Sequence, residues 1–169
     1  MANMQQNLIV VQADYANTAH ADAVIAVLDT YARDPMGGGT PLSDDAKTRL
    51  IAEMAARPHL FSVLAFFGDK PIGLVNCIEG FSTFACRPLV NIHDIAVIPA
   101  YRGQGVAANM LAQVEQLARA RGACKLTLEV LEGNQRAAKL YAASGFGAYQ
   151  LDPAMGRAHF LQKWLDDHA

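Results

Sequence analysis

Val97-Ile98-Pro99-Ala100-Tyr101-Arg102-Gly103-Gln104-Gly105-Val106-Ala107 is the stretch on which the reading of this chain turns. A strand-like run ends at a proline. Two glycines then punctuate a turn that carries an arginine, and an apolar-periodic helix follows. Glycines let a backbone approach a ligand closely, and a helix start offers unpaired N–H donors with partial positive charge. This helix brings no Ser, Thr, Asp or Asn to its entry, and no carboxylate appears before Glu115. Most helix starts carry such a cap or an acid in the first turn. Donors that the chain leaves free are donors an anion can use; a water-capped turn is the plain alternative.

Working outward, the spacing predicts a helix over about 104–121. Its stripe is Ala107, Met110, Leu111, Val114, Leu117 and Ala118, with Arg119 and Arg121 at its end and Gly122 to stop it. Upstream, Leu8–Val11 reads as a strand and residues 17–33 as a helix. Ser43 caps a second helix running to about Arg57, where Pro58 stops it. Between these helices, Asp34 to Pro41 is turn-rich with three successive glycines, either a flap over a site or a surface loop. Leu60–Phe67 and Ile72–Ile78 form a hairpin around Gly68-Asp69-Lys70-Pro71, and Leu89–Ile98 adds a strand. Downstream, Lys125–Leu131 alternates as a strand, Asn134 caps a helix ending at Gly145, and strands over about 146–151 and 157–165 close the chain. A helical crossover makes the strands flanking residues 104–121 parallel. The expected fold is therefore α/β: one domain over residues 1–169, with a mixed, mostly antiparallel sheet of about seven strands and four helices on both faces.

Composition narrows the function. The chain has 169 residues, 52% hydrophobic and 18% charged, which suits one globular domain with a full core. A net charge of −2 gives no electrostatic case for nucleic acid. No apolar run approaches the ~20 residues needed to span a bilayer, and no signal peptide is evident, so a cytoplasmic location is expected. Cys77, Cys86 and Cys124 form no CxxC pair and read as reduced, buried thiols. The five histidines make no zinc pattern, so no metal is expected.

Gly103-Gln104-Gly105-Val106-Ala107-Ala108, with Glu129 downstream, literally fits a dinucleotide fingerprint. Yet it sits past residue 100 inside one short βαβ unit, and too little chain follows for a second nucleotide-binding half. A better match starts one residue earlier. Arg102-Gly103-Gln104-Gly105-Val106-Ala107 fits Arg/Gln-x-x-Gly-x-Gly/Ala, and this stretch resembles the acyl-CoA pyrophosphate signature of the GNAT N-acetyltransferase superfamily. Ile95-Ala96-Val97-Ile98-Pro99 resembles the cofactor strand of that family. Leu128-Glu129-Val130, Asn134, Ala138, Leu140-Tyr141 and Gly145-Phe146 resemble its second half. The matches run in order from about residue 92 to 146, while the first 85 residues agree only in element order.

The resemblance implies acetyl transfer from acetyl-CoA to a primary amine of a small molecule or peptide, by direct transfer in a ternary complex. A homodimer is compatible with it. A non-catalytic acyl-CoA-binding or regulatory module on the same fold is the competing reading. An alkyl amine of pKa ~10.4 is almost wholly protonated at pH 7, and freeing it costs roughly 4.6 kcal/mol. Such a site needs a proton acceptor, a group that polarises the thioester carbonyl and a donor for the thiolate. The resemblance assigns the carbonyl to a main-chain N–H at or beside Val97, and the cofactor arm to Ile95, Ala96 and Val97. It assigns the diphosphate to Arg102, Gly103, Gln104, Gly105, Val106 and Ala107. Tyr141 is the expected general acid, with core packing as the alternative. His93 is the expected proton acceptor, since an imidazole titrates near neutrality; a structural histidine is the alternative. Strict alternation puts Asn91, His93, Ile95 and Val97 on one face, and Ile92, Asp94, Ala96 and Ile98 on the other. Asn134 both caps its helix and, by resemblance, contacts pantetheine. Arg136 and Lys139 are candidates for the 3′-phosphate, against a reading as solvated charge. Glu79 and Glu129 are further candidates for the acceptor side, with Tyr15, Phe81 and Phe84 as a candidate apolar rim.

Overall fold

The computed structural model describes residues 7–149, 152, 154, 156 and 158–165. Residues 1–131 form one compact unit and residues 132–169 a second. The first unit holds strands β1 (Leu8–Gln12), β2 (Leu60–Phe67), β3 (Lys70–Ser82), β4 (Arg87–Val97) and β5 (Leu126–Leu128). It also holds helices α1 (Thr18–Ala32), α2 (Asp44–Ala55) and α3 (Val106–Ala120), while α4 (Gln135–Ala143) belongs to the second unit.

The strands lie in chain order, β1-β2-β3-β4-β5. β1 to β4 pair antiparallel, and β5 returns parallel to β4 after the α3 crossover. Alternation along the strands sends side chains to two faces. Leu64, Leu74 and Ala96 meet Ala23, Val24 and Val27 of α1 and Met54 of α2 in one buried cluster. On the opposite face Met110 of α3 presses on Gly73: a Cβ there would stand 2.8 Å from the methionine sulfur. Helices therefore cover both faces of the sheet.

Local chemistry explains the helix ends. Asn17 accepts from the amides of Ala19 and His20, Ser43 from Ala46, and Asn134 from Ala137. α3 ends in a Schellman motif, with Gly122 at φ 74°, its N–H on the Arg119 carbonyl and that of Ala123 on the Ala118 carbonyl.

Three expectations are corrected. The sheet has five strands among the described residues, not about seven. Residues 146–149 and 158–165 form no strand, while 150, 151 and 157 lie outside the described residues. A strand exists only through a paired neighbour, and alternation in the sequence supplies none. β5 is likewise shorter than Lys125–Leu131, because its pairing with β4 covers only Leu126 to Leu128. Of the three cysteines only Cys77 is buried; Cys86 is exposed and Cys124 partly so.

Candidate active site

The turn after β4 is built from its main chain. Ile98 donates to the Ile72 carbonyl of β3 at 2.9 Å, Tyr101 to Ile98 at 2.9 Å and Arg102 to Pro99 at 3.2 Å. Gly103 and Gly105 then take φ of 77° and 82°, the left-handed region that glycine enters without a Cβ penalty. The space beside Gly103 is open, so backbone angle rather than crowding calls for glycine there. Gly105 is the N-cap of α3 and offers no side-chain acceptor. Between Gly103 and Ala108 no amide finds an acceptor among the described residues. These amides, at the positive end of a 15-residue helix, form an anion cradle. A diphosphate fits this donor set.

Beside the turn, β4 loses its outer neighbour. β5 pairs with Val90, Asn91 and Ile92 and goes no further. At the next residue the register with β3 slips: Asn76 faces Asp94 while Cys77 faces Ile92, so His93 is an extra, exposed residue. This β-bulge overturns the strict alternation expected over 91–98. Asn91 and Asp94 now share the α1 face, and Ile92 lies with Ile95 and Val97 on the α3 face. The bulge also sets which amides turn outward. Ile98 and Ile72 exchange a ladder bond, so Val97 and Gly73 beside them are a non-hydrogen-bonded pair. Val97 therefore turns its N–H and C=O to the outer edge, as does Ile95, while Ala96 bonds inward.

Next to the bulge runs a buried polar chain that sequence reasoning missed. The Ser62 hydroxyl donates to Asn76 Oδ1 at 2.6 Å, and Asn76 Nδ2 donates to Asp94 Oδ2 at 3.0 Å. The single Ser62 proton is thus committed, so Tyr15 is the donor in its 2.8 Å bond to Ser62. An ionised carboxylate only accepts, and Asp94 in that state orients every link. The signal was present: Ser62 and Asn76 are polar interruptions at core-facing positions of two apolar neighbouring strands. Burial pushes the Tyr15 phenol above its usual range. Tyr31 rises for the same reason, with the Asp94 and Asp34 carboxylates adding to it.

Arg102 enters the turn as expected, and its guanidinium is engaged by two partners of the protein itself. Nε donates to the Val97 carbonyl at 2.9 Å, and Nη2 pairs with Asp34 Oδ2 at 2.7 Å. Asp34 opens the glycine-rich loop, whose residues Pro35–Gly37 form a 3-10 turn. Its carboxyl is held below the usual range, first by the Met36 amide and then by Arg102. Glu79 pairs with Arg121 at 3.0 Å, which accounts for it structurally. Glu129, Phe81 and Phe84 are exposed.

In the second unit, Asn134 spends its side-chain oxygen on capping α4. Tyr141 is buried, its ring edge-on to Phe146 with centroids 5.9 Å apart. Arg136 and Lys139 are exposed. No described helix is long and apolar enough to cross a membrane.

Comparison with known proteins shows the family and the fold. The model of the acetyltransferase (GNAT) family matches residues 24–146. An uncharacterized N-acetyltransferase, YycN, of Bacillus subtilis (strain 168) is 46% identical over 128 residues, covering 69% of this chain and 78% of its own. A thialysine N-epsilon-acetyltransferase of Bos taurus is 40% identical over 130 residues, covering 68% and 73% respectively. Among solved structures, a probable acetyltransferase superposes with a TM-score of 0.78 at 21% identity, over 94% of this chain and 99% of that one. The aminoglycoside N-acetyltransferase AAC(6')-Iy in complex with CoA gives 0.70 at 23% identity, over 92% and 94%.

Proposed function

This chain is an acetyltransferase that belongs to the GNAT family, and on that premise we propose that it moves the acetyl group of acetyl-CoA onto a primary amine of a small molecule or peptide, by direct transfer in a ternary complex. The observation that carries the coenzyme part is the run of unpartnered amides from Gly103 to Ala108 at the uncapped start of α3. Main-chain N–H groups of Gly103, Gln104, Gly105, Val106 and Ala107 hold the diphosphate. The open edge of β4 at Ile95, Ala96 and Val97 takes the pantetheine arm, and the Val97 N–H polarises the thioester carbonyl. For the second unit, the family resemblance assigns Asn134 to the pantetheine arm and Lys139 to the 3′-phosphate.

The chemistry then asks for three proton movements. His93, pushed out of the ladder by the bulge, accepts a proton from the ammonium group of the acceptor. The freed nitrogen attacks the carbonyl carbon, the carbon–sulfur bond breaks, and the Tyr141 hydroxyl gives its proton to the departing thiolate. The second proton, lost by the attacking nitrogen as the amide forms, returns the tyrosine to its neutral state by way of solvent. A phenol near pKa 10 is a competent donor to a thiolate whose conjugate acid lies near 8.5. Relatives named thialysine N-epsilon-acetyltransferase make an aminoalkyl side chain the first acceptor to try.

The test is thiol release from acetyl-CoA against a panel of thialysine, lysine, a polyamine, an aminoglycoside and a peptide N-terminus, beside calorimetry with CoA and with NADH. CoA binds, NADH does not, and at least one amine releases thiol. Tyr141→Phe lowers kcat about 10²-fold or more with acetyl-CoA affinity little changed. His93→Ala changes the pH–rate profile. Binding without thiol release from any amine would instead establish the non-catalytic module, and no heat with CoA at millimolar levels would end the coenzyme reading.

A further inference from the structure

The arginine of the phosphate turn is engaged in a direction that diphosphate binding does not explain. Its two contacts join separate pieces of chain: the Val97 carbonyl at the end of β4 and the Asp34 carboxylate at the start of the glycine-rich loop. Asp34 is firmly anchored. Its Oδ1 caps the Met36 amide at 2.9 Å, leaving Oδ2 for Arg102. Its N–H reaches the Tyr31 carbonyl at 2.9 Å, and its own carbonyl takes the amides of Gly37 at 2.7 Å and Gly39 at 3.1 Å. The 3-10 turn also packs hard on the end of α1, since a Cβ on Gly37 would stand 2.0 Å from the Tyr31 carbonyl oxygen. α1 in turn is rooted in the core by Val24 and Val27. A continuous line of contacts therefore runs from the core through α1, Tyr31 and Asp34 to Arg102.

The turn itself has little else to hold it. Beyond Arg102 no main-chain bond forms within the described residues until Asn109 reaches Gly105 at 3.1 Å. Two glycines in the left-handed region leave that stretch intrinsically free. Among the described residues its remaining hydrogen bonds come from side chains: Arg102, Gln104 on the Ala100 carbonyl at 3.0 Å and Asn109 on the Gly105 carbonyl at 2.9 Å. Of these, Arg102 alone ties the turn to a distant element.

We propose that Arg102 is a positioning residue rather than a diphosphate ligand, with Asp34 as its partner: the ion pair fixes the turn so that its main-chain amides are aimed before the coenzyme arrives. This rests on the coenzyme reading above. Two of the five guanidinium N–H groups are already spent on the carboxylate and the carbonyl, which fixes how the side chain lies, whereas the amides of the turn give up only water. Pre-ordering a binding loop raises affinity by removing an ordering cost from the binding step. It also makes the 34–41 loop and the coenzyme turn one built piece.

Asp34→Asn is the incisive variant, because an asparagine oxygen still caps the Met36 amide while the charge facing Arg102 is gone. Calorimetry with CoA is run on wild type, Asp34→Asn, Arg102→Lys, Arg102→Ala and the Asp34→Asn, Arg102→Ala double variant, with hydrogen exchange of the free proteins alongside. Asp34→Asn raises the Kd for CoA about five- to tenfold and speeds exchange at 102–106. Arg102→Lys does the same, since one ammonium cannot span both partners. The double variant is no weaker than Arg102→Ala alone. With the best amine of the panel, Asp34→Asn raises KM for acetyl-CoA while kcat falls less than about twofold, a split that general loosening of the fold would not give. A Kd that is unchanged or tighter in Asp34→Asn overturns the proposal, the tighter value marking Arg102 as a ligand held in reserve. Should wild type give no heat with CoA, the coenzyme reading falls, and exchange at 102–106 alone decides whether the clamp exists.

Discussion

A buried thiol titrates where only folding can put it. Cys77 sits in β3 with 1% of its surface exposed, and burial pushes its pKa up from 9.0 to about 12. The folded chain holds that proton more tightly than the unfolded chain does. The stabilisation is therefore complete below about pH 9 and is lost as pH rises toward 12, at about 1.4 kcal/mol per pH unit. Urea unfolding of wild type and Cys77→Ala at about pH 8 and 10.5 should show wild type losing roughly 2 kcal/mol more across the interval. Parallel losses would mean that water reaches the sulfur. At this scale the sequence was legible where a residue type is unusual for its place. The missing cap at Gly105 and the turn glycines were read correctly. His93 was picked out, but its face was not, because alternation counts every residue and a bulge silently adds one. The partnership of Asp34 with Arg102 was invisible, since 68 residues separate them and no local pattern encodes the meeting.

Among the helices, α3 stands apart from the other three. α1, α2 and α4 each begin on an Asn or Ser side chain that accepts from the first turn, and α2 adds Asp44 and Asp45 there. α3 has neither cap nor acid at its start. A side-chain cap is worth about 1 kcal/mol, and its absence leaves the first-turn amides to water or to an anion. Ala108 is exposed in that first turn, and Ala108→Glu tests the trade directly. The carboxylate should stabilise the protein by about 0.3–1 kcal/mol through the helix dipole. It should also weaken CoA binding about tenfold or more by placing negative charge beside the cradle. Thermal unfolding and calorimetry on the same variant read both signs, and a carboxylate that left CoA affinity alone would place the diphosphate elsewhere. Element by element, the capped helices and the four antiparallel strands were legible because period and punctuation are local. Of the strands expected over 146–151 and 157–165, the described residues form none, because pairing is a property of two segments and the sequence displays one at a time.

For the molecule as a whole, the sheet separates what stabilises from what binds. Its strands follow chain order with one crossover, and that crossover delivers the cradle to the end of β4. The α1–α2 face carries a buried cluster in which Leu74 stands opposite Leu64 on one neighbouring strand and Ala96 on the other. Leu74 is fully buried, so Leu74→Ala should cost about 2–5 kcal/mol in the unfolding free energy, lowering Tm by roughly 5–15 °C. The turn is steadied by the side-chain bonds of Gln104 and Asn109 and by the Asp34–Arg102 pair, none of which involves Leu74. The Kd for CoA should therefore move less than about twofold in the folded variant. The ligand should still stabilise by mass action, by about 2.7 kcal/mol at a hundred times Kd. The same increment must appear in wild type and in Leu74→Ala, because it depends on Kd and concentration alone. If Leu74→Ala instead lost CoA affinity in step with stability, the core and the cradle would be one cooperative unit, and the division of labour drawn between the two faces of the sheet would not hold.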